Sequence, residues 1–295
     1  MTRATCLAAG SSAANTAPTA DSAQIAGELE RAGYVVLPGR MNKRDLAAAR
    51  QELGGLLSAA EWGSGFDGTR TKRVWALLAK TRCMDGAALD TLVLEAVEQA
   101  IGRGAQFSLT YATQVHPGQG AQVLHYEQGI YPLPRDRDLM LTAIWALDDF
   151  SVANGATLVV PGSHQHAIGK PGPDQAVPVE MPAGSVLLFS GRLYHGSGAN
   201  TSTQPRLGVV IDYQQPWLRP CEAHTLSADS AQVRQLPQRL QELLGFNQAS
   251  PYLGLIHGRH PREWLMDGDP RDRTPAEGQG DRELERMGTS GVSHF

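Results

Sequence analysis

Residues 139–190 read LMLTAIWALDDFSVANGATLVVPGSHQHAIGKPGPDQAVPVEMPAGSVLLFS. The apolar runs Leu139–Leu147, Ala156–Val160, Val177–Glu180 and Ser185–Ser190 are divided by Asn154-Gly155, Pro161-Gly162, Pro171-Gly172-Pro173 and Ala183-Gly184. Each run has the length of a strand, and each break carries residues suited to tight turns. The same punctuation continues outward. Ser108–Val115 ends at His116-Pro117-Gly118, Ala121–Tyr126 follows, and Leu207–Tyr213 closes the series. Short strands without alternating helices predict a sandwich or barrel and exclude a doubly wound α/β sheet. The β-core is expected over about 106–215.

Helices flank this core. Ile25, Leu29 and Ala32 recur at helical spacing in Asp21–Ala32, and Gly33 suits the position after the helix. Tyr34–Leu37 reads as a short strand. Asn42 is a candidate N-cap for a helix carrying Leu46, Ala49, Leu53 and Leu56, with Gly54-Gly55 weakening its middle. Residues 61–70 read as a loop, Ala88–Ile101 as a third helix, and Ala231–Leu244 as a helix after the core. Residues 1–20 hold little to bury and are expected to be disordered; 266–295 read as a polar tail. The organisation is therefore a single domain over 21–265.

The bulk properties narrow the partners. The 295-residue chain is 41% hydrophobic with a formal net charge of −4 and no block of like charge. This argues against a nucleic-acid or anionic-membrane partner. Cys6, Cys83 and Cys221 form neither a disulfide framework nor a zinc ribbon. No apolar run approaches the ~20 residues that span a bilayer, and a cytoplasmic location is expected. A homodimer is compatible with this reading.

His125 and Glu127 lie two apart in the expected strand Ala121–Tyr126 and its continuation, so they should share one face. His195 follows in Leu-Tyr-His-Gly-Ser-Gly. Two histidines and a carboxylate make the facial triad of non-haem Fe(II) oxygenases, which leaves three positions for a bidentate cosubstrate and O₂. Arg206 can hold a distal carboxylate with a pair of parallel hydrogen bonds, as 2-oxoglutarate requires. Ser197 and Thr157 can add neutral hydrogen bonds. Other readings stay open on these residues alone: the same three ligands suit Zn(II) in hydrolysis or isomerisation, and a jelly roll without turnover could bind a small ligand. His116, His164, His166, His224, His257 and His260 are read as structural or exposed. Trp145 is read as core.

The segments Asn154–His164, Gly184–Asn200, Arg206 and Tyr213–Pro220 together resemble the phytanoyl-CoA dioxygenase family, whose signature includes G-x-x-x-x-V-P-G-S-H. Thr71–Lys80 is similar to the segment that precedes the barrel in secondary-metabolite members. The resemblance implies a double-stranded β-helix, the cupin-like jelly roll, with flanking helices. It also implies Fe(II), O₂ and 2-oxoglutarate, which is converted to succinate and CO₂. His125 and His195 match the metal histidines, Arg206 the 2-oxoglutarate arginine, and Thr157, Ser197 and Gln122 positions of cosubstrate contact. The family pattern is usually His-x-Asp; Glu127 keeps the charge on a longer arm. Its retention disfavours halogenation, which needs a small residue there. Tyr126 replaces a common Arg and is expected to face away from the metal. The substrate is expected to be a small organic molecule, under lids formed by 61–70 and 129–138, with Trp62, Phe66 and Tyr131 touching it.

Overall fold

The computed structural model describes residues 22–165 and 169–267. The expectations for 1–20, for His166 and for most of the tail lie outside the described residues. In chain order the elements are α1 (Ser22–Ala32), β1 (Tyr34–Leu37), α2 (Lys43–Ser58), β2 (Thr71–Trp75), α3 (Leu77–Lys80), α4 (Asp85–Ala88) and α5 (Thr91–Ile101). There follow β3 (Gln106–Val115), β4 (Met140–Ala146), β5 (Thr157–Val159), β6 (Val177–Val179), β7 (Val186–Ser190), β8 (His195–Ser197) and β9 (Arg206–Gln214). The chain ends in α6 (His224–Ser227), α7 (Ser230–Val233), α8 (Gln238–Leu243) and α9 (Pro261–Asp267).

Among the described residues nine strands form two antiparallel sheets, β1-β7-β4-β9-β3-β2 and β6-β5-β8. Burial on both faces explains why the central strands are mostly apolar. On β4, Leu141, Ala143 and Trp145 pack outward under α1, α2 and α5, while Ile144 and Ala146 point inward. On β9, Leu207, Val209, Ile211 and Tyr213 face the helices, and Val210 faces inward. The inner layer joins Leu187 and Phe189 of the large sheet to Val159 and Val179 of the small one. Fully burying each such side chain contributes about 1.5–3 kcal/mol. This is the jelly roll with flanking helices that the sequence predicts.

Local chemistry sets the helix ends. Asn42 caps α2 by accepting from Asp45 N at 3.0 Å, and α2 runs unbroken through Gly54 and Gly55. The expected helix from Ala88 instead begins at Thr91, because Asp90 accepts from Val93 N and sets a new N-cap. Pro237 divides the expected Ala231–Leu244 helix into α7 and α8. Helix α9 spans Pro261–Asp267, across the boundary expected at 265.

His224 lies in the helical layer, 3% exposed and edge-on to Phe107. Neither ring nitrogen has a hydrogen-bond partner. Burial pulls its pKa down to about 4 from 6.5, with Glu222 offsetting this only in part. The folded state therefore takes up this proton later than the unfolded chain as pH falls, and stability is lost between pH 6.5 and 4. His224→Leu is expected to shrink the loss of unfolding free energy between pH 7 and pH 5 by ~2 kcal/mol. Urea denaturation of both proteins at the two pH values measures this, and parallel losses would remove His224 as a cause.

Candidate metal centre and cosubstrate pocket

Segment 121–126 is not a strand. Gln122 N donates to Ser197 O at 2.8 Å, and His125 exchanges both backbone hydrogen bonds with His195, at 3.0 and 2.8 Å. Three steps on one chain thus oppose two on the other. The extra residue is a bulge, and it ends the ladder at a single bridge. The segment passes tightly over Gly196, where a Cβ would meet Gln122 O at 3.2 Å. Glu127 then opens a 3₁₀ turn, Glu127–Ile130. His125 and Glu127 do converge, but through this bulge and turn and not through strand alternation.

The geometry suits a cation. One donor atom each from His125, Glu127 and His195 lie within 4.8 Å of one another. His195 Nε2 is 3.1 Å and His125 Nε2 is 3.8 Å from Glu127 Oε1. Bonds of about 2.1 Å to one octahedral ion place adjacent ligand atoms about 3 Å apart. His125 Nδ1 lies 3.0 Å from Val123 O, and His195 Nδ1 lies 3.2 Å from Leu193 O. Each Nδ1–H is used on a carbonyl, so each Nε2 presents its lone pair toward the carboxylate. Lone pairs facing a carboxylate at this range need a cation or shared proton between them. Burial pushes Glu127 up, but where protons instead of a metal sit between the groups, hydrogen bonds and charge from the two imidazoles outweigh it and hold the carboxyl below its usual range. Deeper in the barrel, burial and then the Glu127 charge push Asp212 well above the usual range, with Thr142 donating to it at 2.6 Å. The anionic charge at the centre is thereby concentrated on Glu127.

A cavity of about 670 Å³ opens on this centre. Arg206 lies in its wall, 3% exposed, with the guanidinium carbon 4.1 Å from the Phe150 ring centroid. It donates to Ser197 Oγ at 3.2 Å, while its Nε is buried without a partner. A buried guanidinium with unused donors is a seat for a carboxylate. Burial lowers its pKa to about 10, with Asp148 and Tyr111 opposing, and it stays charged at neutral pH. Thr157 pairs with Ser197 across β5 and β8, and both line the cavity. Gln122 Oε1 accepts from Ser197 N at 3.2 Å.

The expected substrate contacts divide. Phe66 lines the cavity and meets the His125 ring edge-on at 4.8 Å. Trp62 instead packs on His116 and under Lys72, and it lines a second hollow outside the cavity. Tyr131 packs with Leu139, Met140 and Leu218, and its hydroxyl is within hydrogen-bond distance of Gln214 Oε1 and Arg219 O. That side chain fastens the 129–138 segment to the scaffold; Gly129 and Ile130 reach the cavity in its place. Tyr126 also contributes to the cavity lining, with its ring against Tyr194 and Arg135 stacked over both. Sequence reading passed over Asp67, Arg73, Trp75, Tyr111 and Lys170, which all line it. The alternation of β3 places Leu109, Tyr111, Thr113 and Val115 on one face and was the available signal. His164 is a scaffold residue, as expected: it is buried, with Nε2 3.0 Å from Glu30 O.

Known proteins resemble this chain in sequence and fold. The chain is 34% identical over 244 residues to dioxygenase ALT11 of Alternaria alternata, spanning 75% of this chain and 81% of that protein. It is 31% identical over 245 residues to dioxygenase FUM3 of Gibberella moniliformis, with 75% and 81% coverage. The crystal structure of SnoN, a non-haem α-ketoglutarate-dependent epimerase from nogalamycin biosynthesis, superposes with a TM-score of 0.58 at 25% identity, covering 68% of this chain and 84% of SnoN. The phytanoyl-CoA dioxygenase family matches residues 29–208. The chain belongs to the phytanoyl-CoA dioxygenase family and is a non-haem iron, 2-oxoglutarate-dependent dioxygenase.

Proposed function

We propose that His125, Glu127 and His195 hold Fe(II), that Arg206 with Ser197, Thr157 and Gln122 seats 2-oxoglutarate, and that the enzyme oxidises a small organic molecule of secondary metabolism by hydroxylation, desaturation or oxidative cyclisation. Succinate and CO₂ are the coproducts. The observation that carries this reading is the shared cavity: the His-Glu-His cluster and the partly unsatisfied Arg206 face the same space. Bound there, iron with 2-oxoglutarate and O₂ supplies the power to oxidise a C–H bond.

The chain's own residues orient and shield. The Val123 and Leu193 carbonyls fix the two imidazoles, and Phe189 packs 4.4 Å from the His195 ring. Arg206 and Ser197 orient the distal carboxylate. Phe66, Leu109, Ile144 and Val210 supply the apolar part of the cavity wall and keep water from the reacting carbon. Among the described residues no helix is long and apolar enough to cross a membrane.

Succinate formation with Fe(II), with Zn(II) and with no metal tests the reading. Turnover with Fe(II) alone is expected. Zn(II)-supported hydrolysis without 2-oxoglutarate consumption would replace it. Once a substrate is found by mass-spectrometric screening, Phe66→Ala should raise the ratio of succinate to organic product by about threefold or more, because the shield over His125 is gone. An unchanged ratio would make loop 61–70 a connector only.

A further inference from the structure

Because 121–126 is a bulge, no continuous ladder fixes the segment that carries His125 and Glu127. Backbone hydrogen bonds tie it to the chain around His195 at separated points, Gln122 to Ser197, His125 to His195 and Gln128 to Gly191. Glu127 lies between the last two. A side chain from outside the segment spans this gap. The guanidinium carbon of Arg135 lies 4.6 Å from the Tyr126 ring centroid and 4.7 Å from that of Tyr194. The two rings meet edge-on, 5.1 Å apart. Tyr126 is the residue between His125 and Glu127, and Tyr194 is the residue before His195. One cation therefore covers the immediate neighbours of all three candidate ligands.

Its donors reach the same strip of chain. Arg135 Nη2 donates to Ser163 O at 2.7 Å and to the Arg192 carbonyl. Ser163 Oγ accepts in turn from Tyr194 N at 2.9 Å. A planar guanidinium can stack on aromatic faces and donate from its edge at once, which an ammonium cannot do. The arm that carries Arg135 is itself held at both ends. Tyr131 Oη is within hydrogen-bond distance of Gln214 Oε1 and Arg219 O, and Asp138 accepts from Arg192 Nε at 2.8 Å. Pro132 and Pro134 stiffen the stretch between. Beneath the rings, Leu124 and Val160 complete a small apolar cluster with Tyr194.

Resting on the function proposed above, we infer that Arg135 is a positioning residue for the metal centre: it clamps Tyr126 and Tyr194 together and so holds Glu127 and His195 at the separation that one ion requires. The clamp acts before any metal arrives, so its worth appears as metal affinity. It leaves the 2-oxoglutarate seat alone, because Arg206 stands on β9, outside the clamped segments.

The test titrates Fe(II) calorimetrically into anaerobic apoenzyme and melts each apoprotein in parallel. Arg135→Met keeps much of the stem and removes the charge and the donors. It is expected to weaken Fe(II) binding by about tenfold, within the range that outer-shell partners of metal ligands command. Arg135→Lys should restore part of that loss. With iron saturating, the KM for 2-oxoglutarate should stay at the wild-type value in both. Tyr131→Phe is the control: it loosens the same arm at its far end, and should melt earlier without losing iron affinity. Tyr126→Leu keeps the arginine but removes the face beneath it; it should also weaken iron, and it carries the test if Arg135→Met does not fold. Wild-type iron affinity in Arg135→Met or in Tyr126→Leu overturns the inference. So does a loss in Tyr131→Phe as large as that in Arg135→Met, which would make Arg135 one more fastening of the arm. The two levels stay distinguishable: if the wild type binds no Fe(II), the metal centre falls and the clamp with it, whereas a wild type that binds one equivalent leaves the variants to judge Arg135.

Discussion

His195→Ala is expected to reduce 2-oxoglutarate turnover by at least ~10³-fold while the protein stays folded. His195 is the most enclosed of the three candidate ligands, with its side chain 6% exposed against 24% for His125 and 22% for Glu127. Phe189 and the His125 ring each lie 4.4 Å from it, centroid to centroid. Removing the imidazole leaves two protein ligands and a small hole beside Phe189, which costs stability about 1–2 kcal/mol. The backbone exchange with His125 survives, because it uses main-chain atoms. Iron stoichiometry, succinate yield and thermal melting, measured together, separate lost metal from lost fold. His164→Ala is the matched control. That side chain is also buried and also a histidine, but it faces Gly33 and the Glu30 carbonyl, away from the cavity. It should melt earlier and keep its turnover per folded molecule. Wild-type turnover in His195→Ala would remove His195 from the metal shell. Glu127→Asp is expected to fall between these limits, because the carboxylate withdraws by one methylene from a site that tolerates about 0.5 Å.

The contrast between what could and could not be read from sequence follows from where each kind of information resides. Strand positions were legible because each central strand carries its own apolar run and its own turn residues. Gly33, Asn42 and the Gly-Pro breaks act locally. The same locality explains the misreading of 121–126. Its alternation looks like a strand, but the bulge against β8 depends on a partner seventy residues away, and Gly196 alone lets the chain pass so closely. Tyr131 and Trp62 were selected for being aromatic in loops next to the expected site. Which side of a loop an aromatic takes depends on the surface beneath it: Leu218 and Gln214 draw Tyr131 down, and His116 with Lys72 hold Trp62 outside. Arg73 is not legible as a cavity residue because an arginine in a short strand ordinarily points to solvent. Here Trp75 and Tyr111, on paired strands, carry its guanidinium inward. The candidate triad and Arg206 were legible because their chemistry is rare in combination, even though the backbone that presents Glu127 was not.

Arg206→Lys is expected to weaken 2-oxoglutarate binding by about 10- to 100-fold, which is about 1.4–2.8 kcal/mol. The argument rests on shape and not on charge. Arg206 remains cationic at neutral pH even with its pKa lowered to about 10, and a buried lysine would keep most of that Coulombic attraction. The lost features are the planar fork, the stacking 4.1 Å from Phe150, and the fixed direction given by the bond to Ser197 Oγ. An ammonium on a flexible stem satisfies neither two carboxylate oxygens at once nor the Phe150 face. Anaerobic titration of the Fe(II) charge-transfer band with 2-oxoglutarate reads the constant directly. Iron content should stay at the wild-type level, since Arg206 touches none of the three candidate ligands. An unchanged dissociation constant would dismiss Arg206 as the cosubstrate anchor.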